Sequence, residues 1–399
     1  MRILLYLLLL MGAATLAVAS EAGAETEADT EVNVDGGRES DDSEEDESEG
    51  KGKGAKKKQS GYRLLPIPII VTEPAIGKGL GVALALFHPP KSGNQDETKL
   101  ATLESMSQSS PRTAPPVVTG VAGAYTSSKS WFGAVGHSNN WKNDSIRYSG
   151  ALARAKVNSE IYIANLPVDF SIETTLVYQD MKFRIKDSDF MLGAAISYMD
   201  ADNVFGLGLP EVENPWQFAS EFKNIGAAGK FLYETRDNSM NPRSGQVAEL
   251  SVWRYDDAIG GDYDYWSAKI KGLSFHSLTE KLTLGLRLEF AGVDGRVPFF
   301  AVPYVQLRGV PALRYQNKFA GEIEAELRYL LRPRWELSAF GGLGYTSDDF
   351  IIYDNPDSIY NFGIGGKYNI FVDHNVWVGV DIARGPEDTS WYVQVGHPW

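Results

Sequence analysis

Three glutamates spaced two residues apart, Glu322, Glu324 and Glu326, lie in the stretch AGEIEAELRYLLRPRWELSAFGG at residues 320 to 342. Because successive side chains of a strand point to opposite faces, these carboxylates share one face, and the apolar residues between them share the other. Neighbouring carboxylates in a confined space repel one another unless a cation lies between them. Arginine suits that role, because its planar guanidinium pairs with carboxylates through parallel hydrogen bonds and stays charged.

Other residue patterns do not favour catalysis. His137 is followed directly by Ser138, and His276 by Ser277. Adjacent strand side chains point to opposite faces, so neither couple forms a nucleophile and its base. The chain has no cysteine, its five histidines are scattered, and GKGLG lacks the Lys-Ser/Thr of a phosphate loop. We therefore predict no enzyme activity, no cofactor and no metal, and keep an outer-membrane lipid hydrolase as a less favoured alternative.

The elements that would position the glutamates are strands with one apolar face. The stretches LTLGLRLEF, WELSAFGGLGY, NVWVGVDIA and SWYVQVGHPW all alternate apolar residues with polar or small ones. A soluble β-sandwich alternates in the same way, with its apolar face turned inward. Strand-like segments nevertheless fill residues 61–399 without a convincing helix, and charge recurs on the polar faces, which suits a wet lumen. Aromatic residues recur near segment ends, as interfacial girdles require: Trp131, Trp141, Trp335, Trp391 and Trp399.

We therefore predict an all-β fold, a closed antiparallel transmembrane β-barrel. Connections alternate between long and short from the middle of the chain onward, which gives about sixteen strands if RLLPIPIIV is the first. The long segment 294–318 is then external. We expect the odd-numbered residues from Ile323 to Leu331 to face lipid and the three glutamates to face the lumen.

The sequence before the barrel divides into two parts. Residues 1–19 combine one arginine, a leucine-rich core and small residues near Ala19, which predicts a signal peptide removed in the mature protein, with a membrane anchor as the alternative. Residues 20–60 hold an acidic run and then five lysines; the run, residues 21–50, contains 14 acidic residues and one arginine. We interpret residues 20–60 as a disordered tether, with calcium or partner binding as the alternative to a solvated spacer.

Five segments, in order, resemble the BamA/TamA-like superfamily of outer-membrane assembly and secretion barrels, also called bacterial surface antigens. These segments are LPIPIIVTEPAIGKGLGVAL at the barrel opening, YETRDNSMNPRSGQVAEL at a periplasmic turn, LRGVPALRYQ in the long external loop, AELRYLL in the next strand, and the aromatic carboxyl terminus. The turn motif comprises Arg236, Asp237, Pro242 and Gly245, and Trp391 and Trp399 form the terminal assembly signal. The 41 residues from 20 to 60 are too few for a POTRA domain, so the chain resembles the POTRA-less branch.

The resemblance implies that the long loop folds into the barrel, where the arginine of an Arg-Gly motif meets carboxylates of the inner wall. Arg308 and Gly309 match that motif, Glu326 matches the strand carboxylate, and Arg314 offers a second cation. The next strand has Gly342 where the family commonly has an aspartate, so Glu324 is the expected substitute. The alternative is that the glutamates only line a water-filled pore, paired across strands by Arg287 and Arg328.

The resemblance also implies a function: assisting the translocation or membrane insertion of a protein or lipid substrate, in the outer membrane of a Gram-negative bacterium. The alternative is a passive, loop-gated pore without assembly activity. Expected partners are the lipid bilayer, the barrel assembly machinery through the last strand, and a substrate not yet identified. Acidic residues outnumber basic ones in residues 61–399, so no nucleic-acid partner is expected. Oligomerisation is left open.

Overall fold

The computed structural model describes residues 62–71, 79–89, 114–163, 166–207, 217–310, 314–348, 359–372, 375–387 and 389–399. The predicted signal peptide and tether, residues 1–60, lie outside the described residues, as does most of the connection after residue 89. Within these ranges, no helix is long and apolar enough to cross a membrane.

Sixteen strands run through the described residues. They are β1 (Arg63–Val71), β2 (Gly79–Phe87), β3 (Val118–Thr126), β4 (Trp131–Trp141), β5 (Ile146–Ile163), β6 (Leu166–Arg184), β7 (Phe190–Leu207) and β8 (Gln217–Glu234). They continue as β9 (Gly245–Tyr255), β10 (Asp264–Ser277), β11 (Leu282–Arg296), β12 (Phe319–Arg332), β13 (Trp335–Ser347), β14 (Ile359–Phe371), β15 (Val376–Arg384) and β16 (Thr389–Val395). All pair in chain order in one antiparallel sheet, which confirms the all-β class, the strand number and RLLPIPIIV as the first strand.

The sheet turns its apolar face outward. On β11 and β12, the side chains of Leu288 and Ile323 are 57% and 51% exposed, whereas Glu324 and Glu326 are 1% and 0% exposed. A water-soluble sandwich would bury such apolar side chains and expose the carboxylates. The inverted pattern is that of a membrane barrel, whose outer band is apolar and whose interior is polar.

The sheet curls until its first and last strands meet. Leu65 of β1 and Phe87 of β2 pack in one buried cluster with Val376 of β15 and Val395 of β16. Hydrogen-bonded ladders join each strand to the next from β1 to β16, and none joins β1 to β16 within the described residues. Side-chain packing therefore links the two ends of the sheet.

The two ends of the barrel differ. The end where the chain terminates, which we call the terminal rim, carries short turns such as 142–145, 278–281 and 333–334. The other end, the loop rim, carries connections such as 256–263 and 297–318, although the connection with the most residues, 88–117, joins β2 to β3 at the terminal rim. We call residues 297–318 the lumen loop, because they fold back inside the barrel.

A cluster of small and apolar side chains fills the loop-rim half of the lumen on β5 to β8. This apolar wall consists of Ala153, Ala155, Val157, Ile172, Met199, Ala201 and Phe222, with Phe300 of the lumen loop packed into it. The ring of Phe300 stacks on that of Phe222 with centroids 5.3 Å apart. The barrel interior therefore has an apolar side as well as a charged one.

Candidate functional site

The described residues of the lumen loop, 297–310 and 314–318, pair as the two arms of a hairpin. Val305 donates its backbone N–H to the carbonyl of Tyr315 (3.1 Å), and Asn317 donates to that of Pro303 (3.1 Å). At the turn, the backbone N–H of Val310 donates to the carbonyl of Leu307 at 3.1 Å. This hairpin places the side chain of Arg308 at the part of the loop that meets the barrel wall.

Glycine at position 309 is required by backbone conformation and by a close approach. Its φ is +84°, in the left-handed region that side chains disfavour. A Cβ there would lie 2.9 Å from the backbone nitrogen of Gly385, in the connection between β15 and β16. The Gly309 N–H donates to the hydroxyl of Tyr392 at 2.8 Å. The tip is therefore docked against the last hairpin of the barrel.

The hairpin also buries apolar side chains against the wall. Val305, Leu307 and Val310 form a cluster with Ile359 of β14, each 6% exposed or less. A Cβ on Gly342 of β13 would lie 2.9 Å from Cδ2 of Leu307. The glycine that stands where the resemblance suggested an aspartate therefore makes room for the loop.

Arg308 meets three carboxylates on the lumenal wall. Its Nε lies 3.0 Å from Oε1 of Glu324, and its Nη1 lies 2.8 Å from Oε2 of Glu326 and 2.5 Å from Oδ2 of Asp381. Cζ of Arg308 lies 3.4 Å from the centroid of the Phe340 ring, so the guanidinium also stacks on an aromatic face. We call these four residues, Arg308, Glu324, Glu326 and Asp381, the loop clamp.

Two members of this arrangement were absent from the sequence predictions. Asp381 is on β15. The sequence feature that could have indicated it is that it is the one charged residue of NVWVGVDIA, on the face opposite to that of the exposed Val380 and Ile382. Phe340 faces inward on β13. Its signal is equally slight, an aromatic residue on the small and polar face of WELSAFGGLGY. Together they supply the third carboxylate and the aromatic surface.

The electrostatics of the clamp favour a charged arginine. Burial alone would lower the pKa of Arg308, but Glu326, Glu324 and Asp381 outweigh it and raise the pKa above its ordinary value. Glu324 also accepts hydrogen bonds from Asn361 Nδ2 (2.9 Å) and Trp399 Nε1 (2.7 Å).

All three carboxylate side chains of the loop clamp are inaccessible to solvent. Other cations lie farther away: Arg287 is 3.7 Å from Glu324, and Arg328 and Lys367 of β14 are 3.8 and 3.7 Å from Glu326. Removal of the guanidinium would therefore leave Asp381 without a cation at ion-pair distance among the described residues.

Cross-strand pairs coexist with the clamp. Arg287 of β11 pairs with Glu322 of β12 and with Glu289 at 3.2 Å. It also donates through Nη1 to the carbonyl of Gln306 in the lumen loop (3.2 Å), and the N–H of Gln306 donates to Glu322. Glu322 therefore binds the backbone of the lumen loop, whereas Glu324 and Glu326 bind the side chain of Arg308.

Arg328, two residues beyond Glu326, connects the same strand to the turn between β8 and β9. It is fully buried and donates to the side-chain oxygen of Asn241 and to the carbonyl of Pro242. Met240 of this turn packs with Leu65 of the first strand. The turn therefore folds under the lumen at the terminal rim.

The predicted turn motif builds that shape locally. Oδ1 of Asp237 accepts from the backbone N–H groups of Asn238 (2.8 Å) and Arg243 (3.0 Å). Gly245 has a φ of +99°, and a Cβ there would lie 2.2 Å from the carbonyl oxygen of Thr235. Arg236 pairs with Glu234 at 2.5 Å. The motif residues thus fix the turn and lie outside the loop clamp.

The carboxyl terminus contributes to the site in an unexpected way. Trp391 is exposed on the outer surface as predicted for a girdle, but Trp399 is 7% exposed and lies in the lumen. The girdle interpretation of Trp399 is therefore wrong, because the chain leaves the strand at Gly396, whose φ is +71°. Next to it, Nε2 of the buried His397 lies 3.5 Å from Oε1 of Glu326.

Arg314 does not join the lumenal carboxylates. Its Nε lies 2.5 Å from Oε1 of Glu387, in the connection after β15, and its side chain is 55% exposed. The expectation of a second lumenal cation at this position is wrong. That place is taken by Arg287 and Arg328, which the sequence had suggested only for the pore alternative.

The histidine–serine pairs bear on the hydrolase alternative. Ser138 lines the lumen, whereas His137 faces outward and its Nδ1 lies 2.9 Å from Oγ1 of Thr119. The outward-facing His276 has Ser274, not Ser277, as its partner, with Nε2 2.8 Å from Oγ. Ser274 and His276 are two residues apart and share the outer face, a pair not among the sequence predictions. In the described part of the chain, no carboxylate or amide side chain bonds to the other ring nitrogen of His276, so the couple lacks the group that orients a catalytic base.

A cavity of about 520 Å³ occupies the lumen beside the clamp, towards the terminal rim. Residues of β2 to β6 and of β8 to β10, the turn after β8 and the terminal residues His397 and Trp399 line it. Six of its lining side chains are basic: Arg147, Lys182, Lys230, Arg236, Lys269 and Lys271.

The fold and the inward loop were compared with known proteins. No protein-family model matches the sequence, and no curated protein sequence matches it either. Among solved structures, BamA from Haemophilus ducreyi lacking POTRA domains 1–3 has a TM-score of 0.51 at 10% identity, over 84% of this chain and 69% of that one.

Two further similar structures are CdiB from Acinetobacter baumannii, with a TM-score of 0.51 at 9% identity, and CdiB from Escherichia coli, with 0.50 at 11%. Each match covers 84% of this chain, which spans 59% and 62% of the two CdiB chains. At these identities, the likeness is one of fold. The chain has the barrel fold of BamA and CdiB, which confirms the fold implied by the sequence resemblance.

Proposed function

We propose that this chain is an outer-membrane barrel of the BamA/TamA-like type that assists the translocation or membrane insertion of a protein or lipid substrate. The observation that carries the proposal is the lumen loop, held by Arg308 against Glu324, Glu326 and Asp381 inside a sixteen-stranded barrel. A loop that is bound to the inner wall and fills part of a lumen suits a protein that regulates passage or wall opening. The barrel fold of BamA and CdiB supports the same assignment.

The seam between β1 and β16 is the second support. Every other neighbouring pair of strands shares a backbone ladder, whereas these two strands share side-chain packing in the described residues. Each unmade ladder hydrogen bond removes about 0.5–1.5 kcal/mol of net stabilisation. The seam is therefore the least costly place for the wall to open towards lipid, where a substrate strand or lipid would enter.

This function places the protein in the outer membrane of a Gram-negative bacterium. Its exposed apolar band would contact the lipid bilayer, and its last strand would engage the barrel assembly machinery through Trp391 and Trp399. Trp391 is accessible for such an interaction in the folded barrel, whereas Trp399 is buried. Recognition of Trp399 would therefore precede the completion of folding. No catalytic step is required of this chain.

A passive pore is the second candidate, and the lumenal cavity favours it. A space of about 520 Å³ lined by charged side chains would conduct ions if it connects the two rims. In that case the clamp would set the pore width and assist no insertion.

Two measurements on the reconstituted protein separate these functions. One follows the insertion of an unfolded test barrel into liposomes with and without the protein, and the other records current across planar bilayers. An assembly role predicts faster insertion in its presence and a change in that rate when Arg308→Ala releases the loop. Steady current with an unchanged insertion rate would reject the assembly role and support the pore.

A further inference from the structure

Two histidines and a threonine form a polar group on the outer face of the barrel at the terminal rim. Nε2 of His88, the residue after β2, lies 2.8 Å from Oγ1 of Thr119 on β3. Nδ1 of His137 on β4 lies 2.9 Å from the same oxygen. The two imidazoles therefore converge on one hydroxyl, and their ring centroids are 5.9 Å apart. We call His88, Thr119 and His137 the outer cluster.

The outer cluster lies on the lipid-facing side of the wall. Thr119 and His137 are directly opposite each other in the ladder, and Val121 and Val135 form the next pair on the same face. The side chains of these valines are 47% and 42% exposed. The apolar outer band of the barrel therefore begins directly beside the outer cluster.

Aromatic rings mark the depth at which the outer cluster lies. The ring of Tyr62 is 5.4 Å from that of His88, and the ring of Tyr148 is 6.4 Å from that of His137. Trp141, 37% exposed, has its ring 6.2 Å from that of Tyr148. Tyrosine and tryptophan are enriched at the depth of the lipid headgroups. The imidazoles therefore lie at the level of headgroup phosphates.

The outer cluster has hydrogen-bond donors but no anionic partner among the described residues. In the described ranges, neither imidazole lies within ion-pair distance of a carboxylate, and the charged group that acts electrostatically on His137 is His88. Nδ2 of Asn139, an amide donor, lies 3.4 Å from Nε2 of His137. The surroundings of His137 therefore add a donor and no negative charge.

This arrangement suits an anion better than a metal ion. A zinc site needs at least three protein ligands, and the described residues provide two imidazoles here without a carboxylate or thiol. When both rings are protonated, all four ring nitrogens donate, and the hydroxyl of Thr119 can accept from both rings while donating outward. A nearby anion favours that charged state. A phosphate oxygen, which is anionic and an acceptor, matches these donors.

We propose that the outer cluster binds the headgroup phosphate of an anionic phospholipid. His88, Thr119 and His137 donate to the phosphate, and Val121 and Val135 contact the acyl chain. A zwitterionic headgroup carries a cation that the imidazolium rings repel, so the lipid is one with net negative charge, such as phosphatidylglycerol. This inference rests on the membrane location given by the proposed function and names one lipid site on the barrel surface.

Fluorescence quenching by brominated lipids tests the proposal in the full-length protein. The protein is reconstituted into phosphatidylcholine bilayers with a minor share of phosphatidylglycerol, and either lipid carries the brominated acyl chains. Quenching at Trp141 is the difference between the natural protein and Trp141→Phe. We expect phosphatidylglycerol to be enriched beside Trp141 about three- to fivefold over its share of the bilayer, the effect of roughly one surface charge on an anionic lipid.

The decisive variant is His88→Gln combined with His137→Gln, which keeps polar side chains of similar size and removes the charge. Enrichment at Trp141 should disappear in this variant. His276→Gln is the matched control, because His276 is an exposed histidine at the same rim on β10, and it should leave the enrichment unchanged. Equal shares of both lipids beside Trp141 in the natural protein, or enrichment that persists in the double variant, would overturn the proposal.

A second tryptophan separates failure of the lipid site from failure of the membrane location. Trp335 lies at the same rim on β13, is 49% exposed and follows Arg334. Its quenching, taken as the difference from Trp335→Phe, should not change in the double histidine variant. If neither brominated lipid quenches Trp141 or Trp335, the membrane location is wrong. If Trp335 is quenched but Trp141 shows no lipid preference, only the lipid site is wrong.

Two controls address the ligand and the fold. An excess of inorganic phosphate should leave the enrichment unchanged, and its loss would mean that free phosphate, not a lipid, occupies the outer cluster. Each variant is first checked for heat-modifiable gel migration, the sign of an intact barrel. If the double histidine variant fails that check, Thr119→Val, which removes the hydroxyl and keeps the side-chain shape, takes its place. Its enrichment at Trp141 should also fall, and an unchanged value would overturn the proposal.

Discussion

The lumen loop is held at two places by opposite kinds of chemistry. At its tip, Arg308 is locked by Glu324, Glu326 and Asp381 of β12 and β15. Nearer its start, Phe300 is packed among alanine, valine and other apolar side chains of β5 to β8. One anchor is directional and charged, and the other is non-directional and apolar.

The two anchors differ in what they tolerate. Buried ion pairs demand that every partner be present, because an unmatched charge costs more than the pair contributes. Apolar packing loses free energy in proportion to the surface and volume removed, and it collapses partly around a defect. The tip should therefore respond to substitution in an all-or-none way, whereas the start of the loop should respond in a graded way.

Removing the charged anchor should have the largest effect. Arg308→Ala removes the cation closest to three inaccessible carboxylates and leaves Asp381 unpaired among the described residues, so we expect the free energy of unfolding to fall by about 3–5 kcal/mol. The measurement is urea unfolding in detergent micelles followed by tryptophan fluorescence, together with protease cleavage of the lumen loop.

Arg314→Ala is the matched control, in the same loop. Its pair with Glu387 is largely exposed, and such pairs contribute about 0–1 kcal/mol. If both variants lose the same stability, the distinction between a buried clamp and a surface pair is wrong.

Removing the apolar anchor should have the next largest effect. Phe300 is 7% exposed, and Phe300→Ala should reduce the free energy of unfolding by about 3 kcal/mol, the lower end for buried Phe→Ala changes. Phe300→Leu, which keeps most of the volume, should cost less than about 1.5 kcal/mol. Equal losses for the two substitutions in the same urea titration would mean that packing is not what holds this part of the loop.

The backbone at the tip should respond less than either anchor. Gly309→Ala forces a side chain onto a left-handed residue, at about 1–3 kcal/mol, and presses a Cβ against Gly385. Gly260→Ala shares the positive φ, +91°, but its nearest atom would be 3.8 Å away. Thermal unfolding should therefore show a larger loss at 309, and equal losses would leave φ strain as the whole cause.

The sequence predicted the charged side of the lumen well and the apolar side poorly. On β12, glutamates alternate with isoleucine and leucine, so the two faces are distinct and the inner one is recognisable. On β5, Ala153 and Ala155 face inward while Leu152 faces outward, so both faces contain apolar residues. The alternation of residue types therefore predicts strands in both regions. It predicts which face lines the lumen only where the inner residues are charged.

The remaining errors have geometrical causes. Asp381 is more than seventy residues from Arg308 in the sequence, and only the sixteen-stranded order brings β15 opposite the lumen loop. Trp399 was expected among the interfacial aromatic residues near segment ends, but the left-handed backbone at Gly396 turns the last residues into the lumen. Arg314 belongs to the same loop as Arg308, yet the hairpin directs only one of them inward.

His397 lies where the charged anchor meets the cavity, and it should give the smallest effect, one that depends on pH. Burial lowers its pKa well below the ordinary 6.5, and the cations Arg328 and Lys367 add to this effect against the opposing effect of Glu326. Between the folded pKa and 6.5 the unfolded chain binds more protons, so stability rises with pH there and is lost on acidification, by up to about 1.4 kcal/mol per unit. We expect His397→Gln to flatten the urea-unfolding free energy between pH 7 and 5.5, whereas the exposed His276→Gln should leave the slope unchanged. Identical slopes in all three proteins would show that burial beside the clamp does not govern this titration.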